Sequence, residues 1–330
     1  MERLTSRFHV DAFALQQPHA TRTRFSQHHR PMTLRRLGEE KLLAQILPHL
    51  ATNRGVVTAA GDDCALVRFR GARDLLVLKS DCVVEGVHFN PVAAPAAVGW
   101  KAMMRALSDF AAMAALPEFA LITLVISADR PPSWVRGLYR GLNSAAKRFK
   151  VAVVGGETSS TAGNTMVAVC VAGRVEAGRS PLRSGGKAND DLFVTGELGG
   201  SIRGRHLKFI PRIAEARWLT RHFKLHAMID LSDGLGADLP RLARASRLGF
   251  HIDESALPVA RGCTIEQAIS DGEDYELLFS IPPRQREALQ RSWKKKFPKL
   301  RVTRIGKLLH PSSFILPPFF RGYVHFQKRR

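Results

Sequence analysis

The chain lacks the features of several common classes of protein. Only 4 of its 330 residues are cysteines, and their positions form no CxxC or zinc-type spacing. We therefore expect reduced thiols, no disulfide framework and a cytoplasmic location. No uninterrupted apolar run reaches the roughly 18 residues that span a membrane. The closest stretch, residues 93–126, contains charged residues and a proline, and it predicts a buried helix followed by a strand.

The usual phosphate-binding and catalytic motifs are also missing. There is no GxxxxGK[ST] loop, no GxGxxG turn, no GxSxG elbow, no HExxH helix and no protein-kinase motif set. Gly185, Gly186 and Lys187 lack both the earlier glycine and the following hydroxyl residue of a P-loop. If the chain uses a nucleotide, metal ions held by carboxylates must take the place of a P-loop lysine.

Acidic residues are scarce relative to basic ones. The chain has 50 lysines and arginines against 29 acids, a net charge of +21. The excess is densest before residue 31 and over 284–307, where no aromatic residues alternate with the basic ones as in base-stacking surfaces. We do not expect nucleic acid as a partner, and a basic body would help to gather anionic substrates. Residues 1–36 are predicted to be a disordered basic leader; Met32 could equally be the true start.

The remaining pattern predicts a two-domain fold of the α/β class. Apolar periodicity predicts helices over 39–50, 96–115 and 134–149, and strands over 75–78, 120–127, 151–154 and 166–175. A polar, glycine-rich stretch at 178–191 indicates a domain boundary. We expect an α+β N-terminal domain over 37–178 and an α/β C-terminal domain over 179–330.

Acidic residues recur at the turns of this pattern. They lie in six corners, namely Gly61–Asp63, Ser80–Asp81, Ser108–Asp109, Gly155–Thr158, Asp230–Gly234 and Gly272–Asp274. A single acidic turn is usually solvated, and Ser232 or Asp233 could equally cap a helix. Asp109 is harder to dismiss, because it lies within an apolar helix where an unpaired charge is costly. Six such corners together indicate one site for Mg²⁺ and a polyphosphate.

The order of these motifs resembles that of the thiamine-monophosphate kinases, which belong to the aminoimidazole ribonucleotide synthetase-like superfamily. The residues that carry the resemblance include GDDCALV, SDCVVEGVHF, VVGGETS, MIDLSDGLGADL and GEDYELLF, and the match covers about residues 37 to 325. It implies a homodimer of two-domain chains, in which the N-terminal domain over 37–178 binds ATP and Mg²⁺ and forms the dimer. The implied reaction transfers the γ-phosphoryl group of ATP directly to thiamine monophosphate, with several Mg²⁺ ions and no membrane association.

The resemblance assigns a role to each matching position. The implied metal ligands are Asp63, Ser80, Asp81, Asp109, Glu157, Asp230 and Asp233. The implied ATP contacts are Phe149, Gly156, Glu157, Arg183 and Ser232. On the substrate side stand His88, Glu273 and Phe320, the last of which would stack on a thiamine ring.

Several positions depart from the family pattern, and three of them lie at or beside implied site residues. Glu157 stands where aspartate is usual, Phe149 where tyrosine is common, and Lys79 where a small hydroxyl residue precedes Ser80. A protonated lysine cannot be a metal ligand. Two alternatives stay open: another ATP-dependent enzyme of the superfamily, or a non-catalytic paralogue with a basic surface that binds nucleic acid. Selenophosphate synthetase would be expected to carry a reactive cysteine before Cys64, and there is none.

Overall fold

The computed structural model describes residues 33–311 and 322–323. Its α-helices are α1 (Leu34–Leu37), α2 (Glu39–Ile46), α3 (Pro95–Ala112), α4 (Pro132–Phe149), α5 (Ile213–His222), α6 (Leu235–Ala245), α7 (Ile265–Ser270) and α8 (Arg286–Lys296). Its strands are β1 (Val56–Thr58), β2 (Ala65–Val67), β3 (Asp74–Val84), β4 (Leu116–Ile126), β5 (Ala152–Ser160), β6 (Met166–Glu176), β7 (Asp191–Thr195), β8 (Ala227–Asp230), β9 (Gly249–Ile252), β10 (Leu277–Ile281) and β11 (Val302–Leu309).

The strands form two sheets. The first has the order β1-β2-β3-β6-β4-β5, and only β4 and β5 run parallel, because α4 connects them as a crossover. The second has the order β8-β10-β7-β11-β9 and is antiparallel throughout. The predicted mixture of helices and sheets is confirmed, and the second sheet is antiparallel although helices and strands alternate along the chain.

Helix α3 is the central element of the molecule. It packs against the first sheet, against α4 and against α5 and β8 of the second half of the chain. Its residues from Ala106 to Ala112 are all buried, which confirms the prediction of a buried helix. Lys101, Ser108 and Asp109 are buried among them. A helix buried on nearly all sides must satisfy such polar groups internally, and the site described below does so.

The face of the first sheet opposite α3 and α4 is open. Leu78, Phe119, Leu121 and Val154 are 40 to 59% exposed there, whereas alternate residues of the same strands, such as Val77 and Ile122, are buried beneath the helices. Because side chains alternate between the faces of a strand, one face is core and the other is an apolar surface. A patch of this kind in a folded chain indicates an interaction surface.

Two predictions about the N-terminal half were wrong in part. The strand at 151–154 was expected to be buried, but β5 is the edge of its sheet and Val154 is 59% exposed. An apolar run does not reveal whether its sheet face is covered. The leader was expected to extend to residue 36, whereas α1 begins at Leu34; residues 1–32 lie outside the described residues. No helix in the described ranges is long and apolar enough to cross a membrane.

Helices α3 and α4 approach each other closely at two glycines. A Cβ atom added to Gly99 would lie 2.0 Å from the carbonyl oxygen of Leu138, and one added to Gly141 would lie 1.9 Å from that of Ala96. Both obstacles are backbone atoms, so they cannot rotate away. The crossing therefore requires glycine at both positions.

We expect Gly141→Ala to destabilise the protein by about 2–4 kcal/mol, since the helices must separate. In an ordinary helix the same change stabilises by up to about 1 kcal/mol, so the sign is diagnostic. Gly163→Ala is the control, because its Cβ would meet nothing closer than 3.5 Å. Urea unfolding measures both, and a stabilised Gly141→Ala protein would contradict the close crossing.

Candidate active site

Three buried carboxylates from distant parts of the chain converge. Asp63 precedes β2, Asp109 lies in the last turn of α3, and Asp230 ends β8. One ligand atom from each lies within 4.8 Å of the other two. We call these three residues the acidic cluster. It joins the first half of the chain to the second sheet.

Hydrogen bonds hold each carboxylate in place. Ser108 Oγ donates to Asp230 Oδ2 over 2.6 Å, and Lys79 Nζ donates to Asp109 Oδ1 over 2.7 Å. The Arg183 guanidinium binds Asp63 Oδ1, whereas Asp63 Oδ2 is buried without a partner. An unsatisfied buried carboxylate oxygen beside two other carboxylates is a suitable ligand for a hard cation such as Mg²⁺.

The acidic cluster shifts the pKa values of its own members. Burial raises the pKa of Asp109 well above its usual range, and the charges of Asp230, Asp81 and Asp63 add to the rise against the opposing effect of Lys79. Burial and the charge of Asp63 raise the pKa of Asp230 to about 6. Carboxylates crowded in this way repel each other, so cations stabilise them.

Asp81 lies beside the acidic cluster on β3. Its carboxylate accepts from Arg105 Nε at 3.1 Å and from the Cys82 N–H at 2.7 Å. Burial raises the pKa of Asp81, but the charges of Arg105 and Lys79 outweigh that effect and lower it. The side chain is therefore a charged acceptor at the border of the cluster.

A second group of predicted residues meets in a small cleft. The cleft is lined by His88, Arg105, Ser232, Asp233, Asp271, Glu273 and Tyr323. Asp233 is held by Arg241, which also binds Asp238, and the Asp233 N–H donates to Asp238 Oδ2. The N-cap of α6 is Gly234, with no side-chain cap, so neither Ser232 nor Asp233 caps this helix.

Glu273 is fixed by a buried lysine that sequence reasoning missed. Lys101 Nζ, fully buried, lies 2.7 Å from Glu273 Oε1, and His206 Nδ1 lies 2.9 Å from Oε2. His206 Nδ1 also lies 2.6 Å from Lys101 Nζ. A protonated Nδ1 donates to Glu273, whereas an unprotonated Nδ1 accepts from Lys101, so only one of these hydrogen bonds can form at a time. Burial lowers the pKa of Lys101 to about 8, against the opposing charge of Glu273.

The spacing of α3 contained a signal for these contacts. Lys101, Arg105 and Asp109 follow each other at intervals of four residues and therefore lie on one face of the helix. Each reaches a different acid or base of the site. A stripe of charges within an apolar helix indicates buried ion pairs.

The structure does not bring every predicted residue to the acidic cluster. Ser80 lies on the open face of the sheet, where the Cys170 thiol donates to its Oγ, because adjacent residues of a strand point to opposite faces. Glu157 is exposed on the edge strand β5, and Phe149, at the end of α4, packs against the hydrophobic core that contains the buried residues of α3, α4 and the first sheet. Phe320 lies outside the described residues.

Gly156 has a packing reason to be glycine. A Cβ atom at this position would lie 1.8 Å from the carbonyl oxygen of Ile122 on β4. The close approach of β4 accounts for the glycine without a ligand. Contact between Gly156 and ATP stays a prediction.

Comparison with known proteins gives the family. The model of the AIR synthase related protein N-terminal domain matches residues 61–175, and that of the C-terminal domain matches 161–313. Thiamine-monophosphate kinase of Rhodopirellula baltica is 34% identical over 289 residues, 82% of this chain and 89% of that protein. The chain belongs to the thiamine-monophosphate kinase family. The family member of Bacillus subtilis is 33% identical, over 88% of this chain and all of that protein.

A solved structure shares the fold. AaThiL complexed with AMPPCP and TMP matches with a TM-score of 0.75 and 31% identity, over 89% of this chain and 99% of that chain. The family assignment made from the motifs and the two-domain, AIR synthase-like fold are both confirmed.

We expect Glu273→Gln to change how stability depends on pH. Burial raises the pKa of Glu273, but His206 and Lys101 outweigh it and lower the value from 4.5 to about 2. A carboxyl group whose pKa is lower in the folded than in the unfolded protein stabilises the fold at pH values above its unfolded pKa. For Glu273 this stabilisation is lost as the pH falls from about 4.5 towards about 2. The stability difference between wild type and Glu273→Gln should shrink over that window, by up to about 1.4 kcal/mol per pH unit.

Urea unfolding at several pH values measures this effect. Glu254→Gln is the matched control, because Glu254 is exposed and outside the network. If the free energies of unfolding of wild type and Glu273→Gln change in parallel from about pH 5 to about pH 3, the stabilisation of the Glu273 carboxylate by Lys101 and His206 is contradicted.

Proposed function

We propose that this chain transfers the γ-phosphoryl group of ATP to the phosphate of thiamine monophosphate, producing thiamine diphosphate and ADP. The observation that carries the proposal is the convergence of Asp63, Asp109 and Asp230 between the two halves of a chain of the thiamine-monophosphate kinase family. The ligands of AaThiL, AMPPCP and TMP, are the types of molecule that this reaction would bring together.

The residues of the site fit Mg²⁺. Asp63, Asp109 and Asp230 would hold it, with Asp81 and Asp233 as neighbouring acids, and the unpartnered Asp63 Oδ2 is the strongest single indication. Bound Mg²⁺ would neutralise charge on phosphate oxygens and so reduce the repulsion between two anionic substrates. Several ions are proposed from the number of acids.

The chain needs no general base for this reaction. The acceptor is a phosphate oxygen that is already anionic near neutral pH, so direct in-line transfer is the simplest route. His88 is unsuited to act as a base. Burial, with a contribution from Arg105, lowers the pKa of His88 to about 3, and its Nδ1 accepts the Val84 N–H at 3.0 Å. We assign His88 and Glu273 to the positioning of thiamine monophosphate.

The nucleotide side of the site would use residues near the connection between the sheets. Arg183 is already at the acidic cluster and can form charge-assisted contacts with phosphate. Ser232 and Gly156 are the further proposed ATP contacts. The Tyr323 N–H donates to the Asp233 carbonyl oxygen over 2.8 Å, so the chain returns to the cleft at Tyr323. Phe320, which lies outside the described residues, stays the proposed thiamine-stacking residue.

We expect the purified protein with Mg²⁺ and ATP to convert thiamine monophosphate to thiamine diphosphate, measured by mass spectrometry. Asp109→Asn and Asp233→Asn should each lower the rate by more than about 100-fold, since each removes a carboxylate from the site. Asp129→Asn, an exposed aspartate in the turn after β4, is the matched control and should retain full activity. An unmodified protein that forms no diphosphate would refute the proposed function.

We also propose that the chain is a homodimer through the open face of its first sheet. The exposed strip around Phe119 and Leu121 is apolar, and a second copy would cover it with an equivalent strip. Leu78, Phe119, Leu121 and Val154 adjoin one another on this face and are 40 to 59% exposed, and a contiguous apolar patch of this kind marks an interaction surface.

Phe119→Glu or Leu121→Glu should convert the dimer to a monomer at micromolar concentration, because a charge would be buried at the interface. Sedimentation velocity measures the change. Val92→Glu is the control, since Val92 is 89% exposed and lies outside this strip. A dimer that persists in both interface variants would exclude this face.

A further inference from the structure

We propose that Lys79 is a built-in cation of the acidic cluster, whose ammonium group takes the place of one divalent metal ion. The inference rests on the proposed function in one respect: the cluster must bind Mg²⁺. It goes beyond that function because it assigns one oxygen of Asp109, Oδ1, to the chain's own lysine. The cluster would accordingly bind fewer metal ions than its carboxylates alone would predict.

The position of Lys79 on β3 brings it to the acidic cluster. Val77 and Asp81 lie two residues to either side and share its strand face, under α3, whereas Leu78 and Ser80 face the open side. Lys79 Nζ lies 2.7 Å from Asp109 Oδ1, and the two side chains are only 23% and 10% exposed. The ammonium is therefore held inside the site.

Two of the three carboxylates in the acidic cluster are each paired with a basic side chain. Arg183 pairs with Asp63 from the connection between the sheets, and Lys79 pairs with Asp109 from β3. Asp230 has a hydroxyl partner, Ser108, and Asp63 retains an unpartnered oxygen. The free capacity for a metal ion thus lies with Asp63, Asp230 and the second oxygen of Asp109.

An ammonium and a divalent ion exclude each other at Asp109 Oδ1, so Asp109 could contact a Mg²⁺ ion shared with Asp63 and Asp230 only through its other oxygen. A protonated lysine has three donors and no lone pair, so it cannot be a ligand. It also places a positive charge at hydrogen-bond distance from the oxygen that a Mg²⁺ ion would contact at about 2.0–2.1 Å. Lys79 would therefore supply part of the neutralisation that metal ions otherwise provide, without needing metal in solution.

The test counts bound Mn²⁺ by electron paramagnetic resonance, with the full-length protein and no nucleotide. Lys79→Met keeps the length of the side chain and removes its charge; it should bind about one more Mn²⁺ per chain than wild type, or bind it about tenfold more tightly. Lys79→Arg keeps the charge and should match wild type. Lys295→Met, which removes an exposed lysine of α8, is the charge control and should also match.

Thermal unfolding provides a readout independent of activity. In a chelator, Lys79→Met should unfold at a lower temperature than wild type, because Asp109 loses its cation. Saturating Mg²⁺ should remove most of that difference, since a divalent ion would occupy the position of the ammonium. Lys79→Ser, which also opens space for an ion, should give the same pattern.

The outcomes separate this inference from the proposed function. Equal Mn²⁺ counts and affinities in wild type, Lys79→Met and Lys79→Ser, with thiamine diphosphate still formed, would overturn the role of Lys79 alone. Absence of Mn²⁺ binding in every variant, with no diphosphate formed, would overturn both. Failure of Lys79→Met and Lys79→Ser to fold even in saturating Mn²⁺ would also overturn the inference, because a divalent ion should replace the ammonium.

Discussion

The repulsion between three buried carboxylates is the constraint on which the rest of this structure depends. Asp63, Asp109 and Asp230 arrive from a loop, a helix and a strand, and their ligand atoms lie within 4.8 Å of one another. Without cations such a cluster would be unstable in a protein interior. The fold provides Lys79 and Arg183 as partners for two of the three, and it leaves one oxygen of Asp63 unpaired. The same electrostatic demand therefore shapes the interior and creates the candidate metal site.

The cluster also joins the two halves of the chain. Asp230 of the second sheet accepts a hydrogen bond from Ser108 of α3, and Arg183 connects to the turn at Asp63. A second polar contact also joins α3 to the second half of the chain, because Lys101 of α3 donates a hydrogen bond to Glu273. Both contacts use one face of α3. Because substrates would be bound between these halves, the contacts that fix their relative position also fix the geometry of the site.

Much of the fold and of the site was predictable from local pattern. The buried helix α3 follows from its apolar spacing, and the acids Asp63, Asp109 and Asp230 from motifs in a family order. The exposure of β5 and the placement of Ser80 were not predicted, because an apolar run carries no information on which sheet face is covered. The contact of Lys101 with Glu273 spans 172 residues, so only the packed structure could reveal it.

The sequence by itself determined the family, the mixed α/β architecture and most of the acidic residues, because motif order and hydrophobic periodicity are local properties of the chain. Only the tertiary structure decided which acids meet and which cation each one faces. Lys79 illustrates the difference. In the sequence it is a substituted residue that cannot bind metal; in the fold its ammonium lies 2.7 Å from Asp109. Charge interactions depend on distance in space and on burial, and neither can be obtained from spacing along the chain.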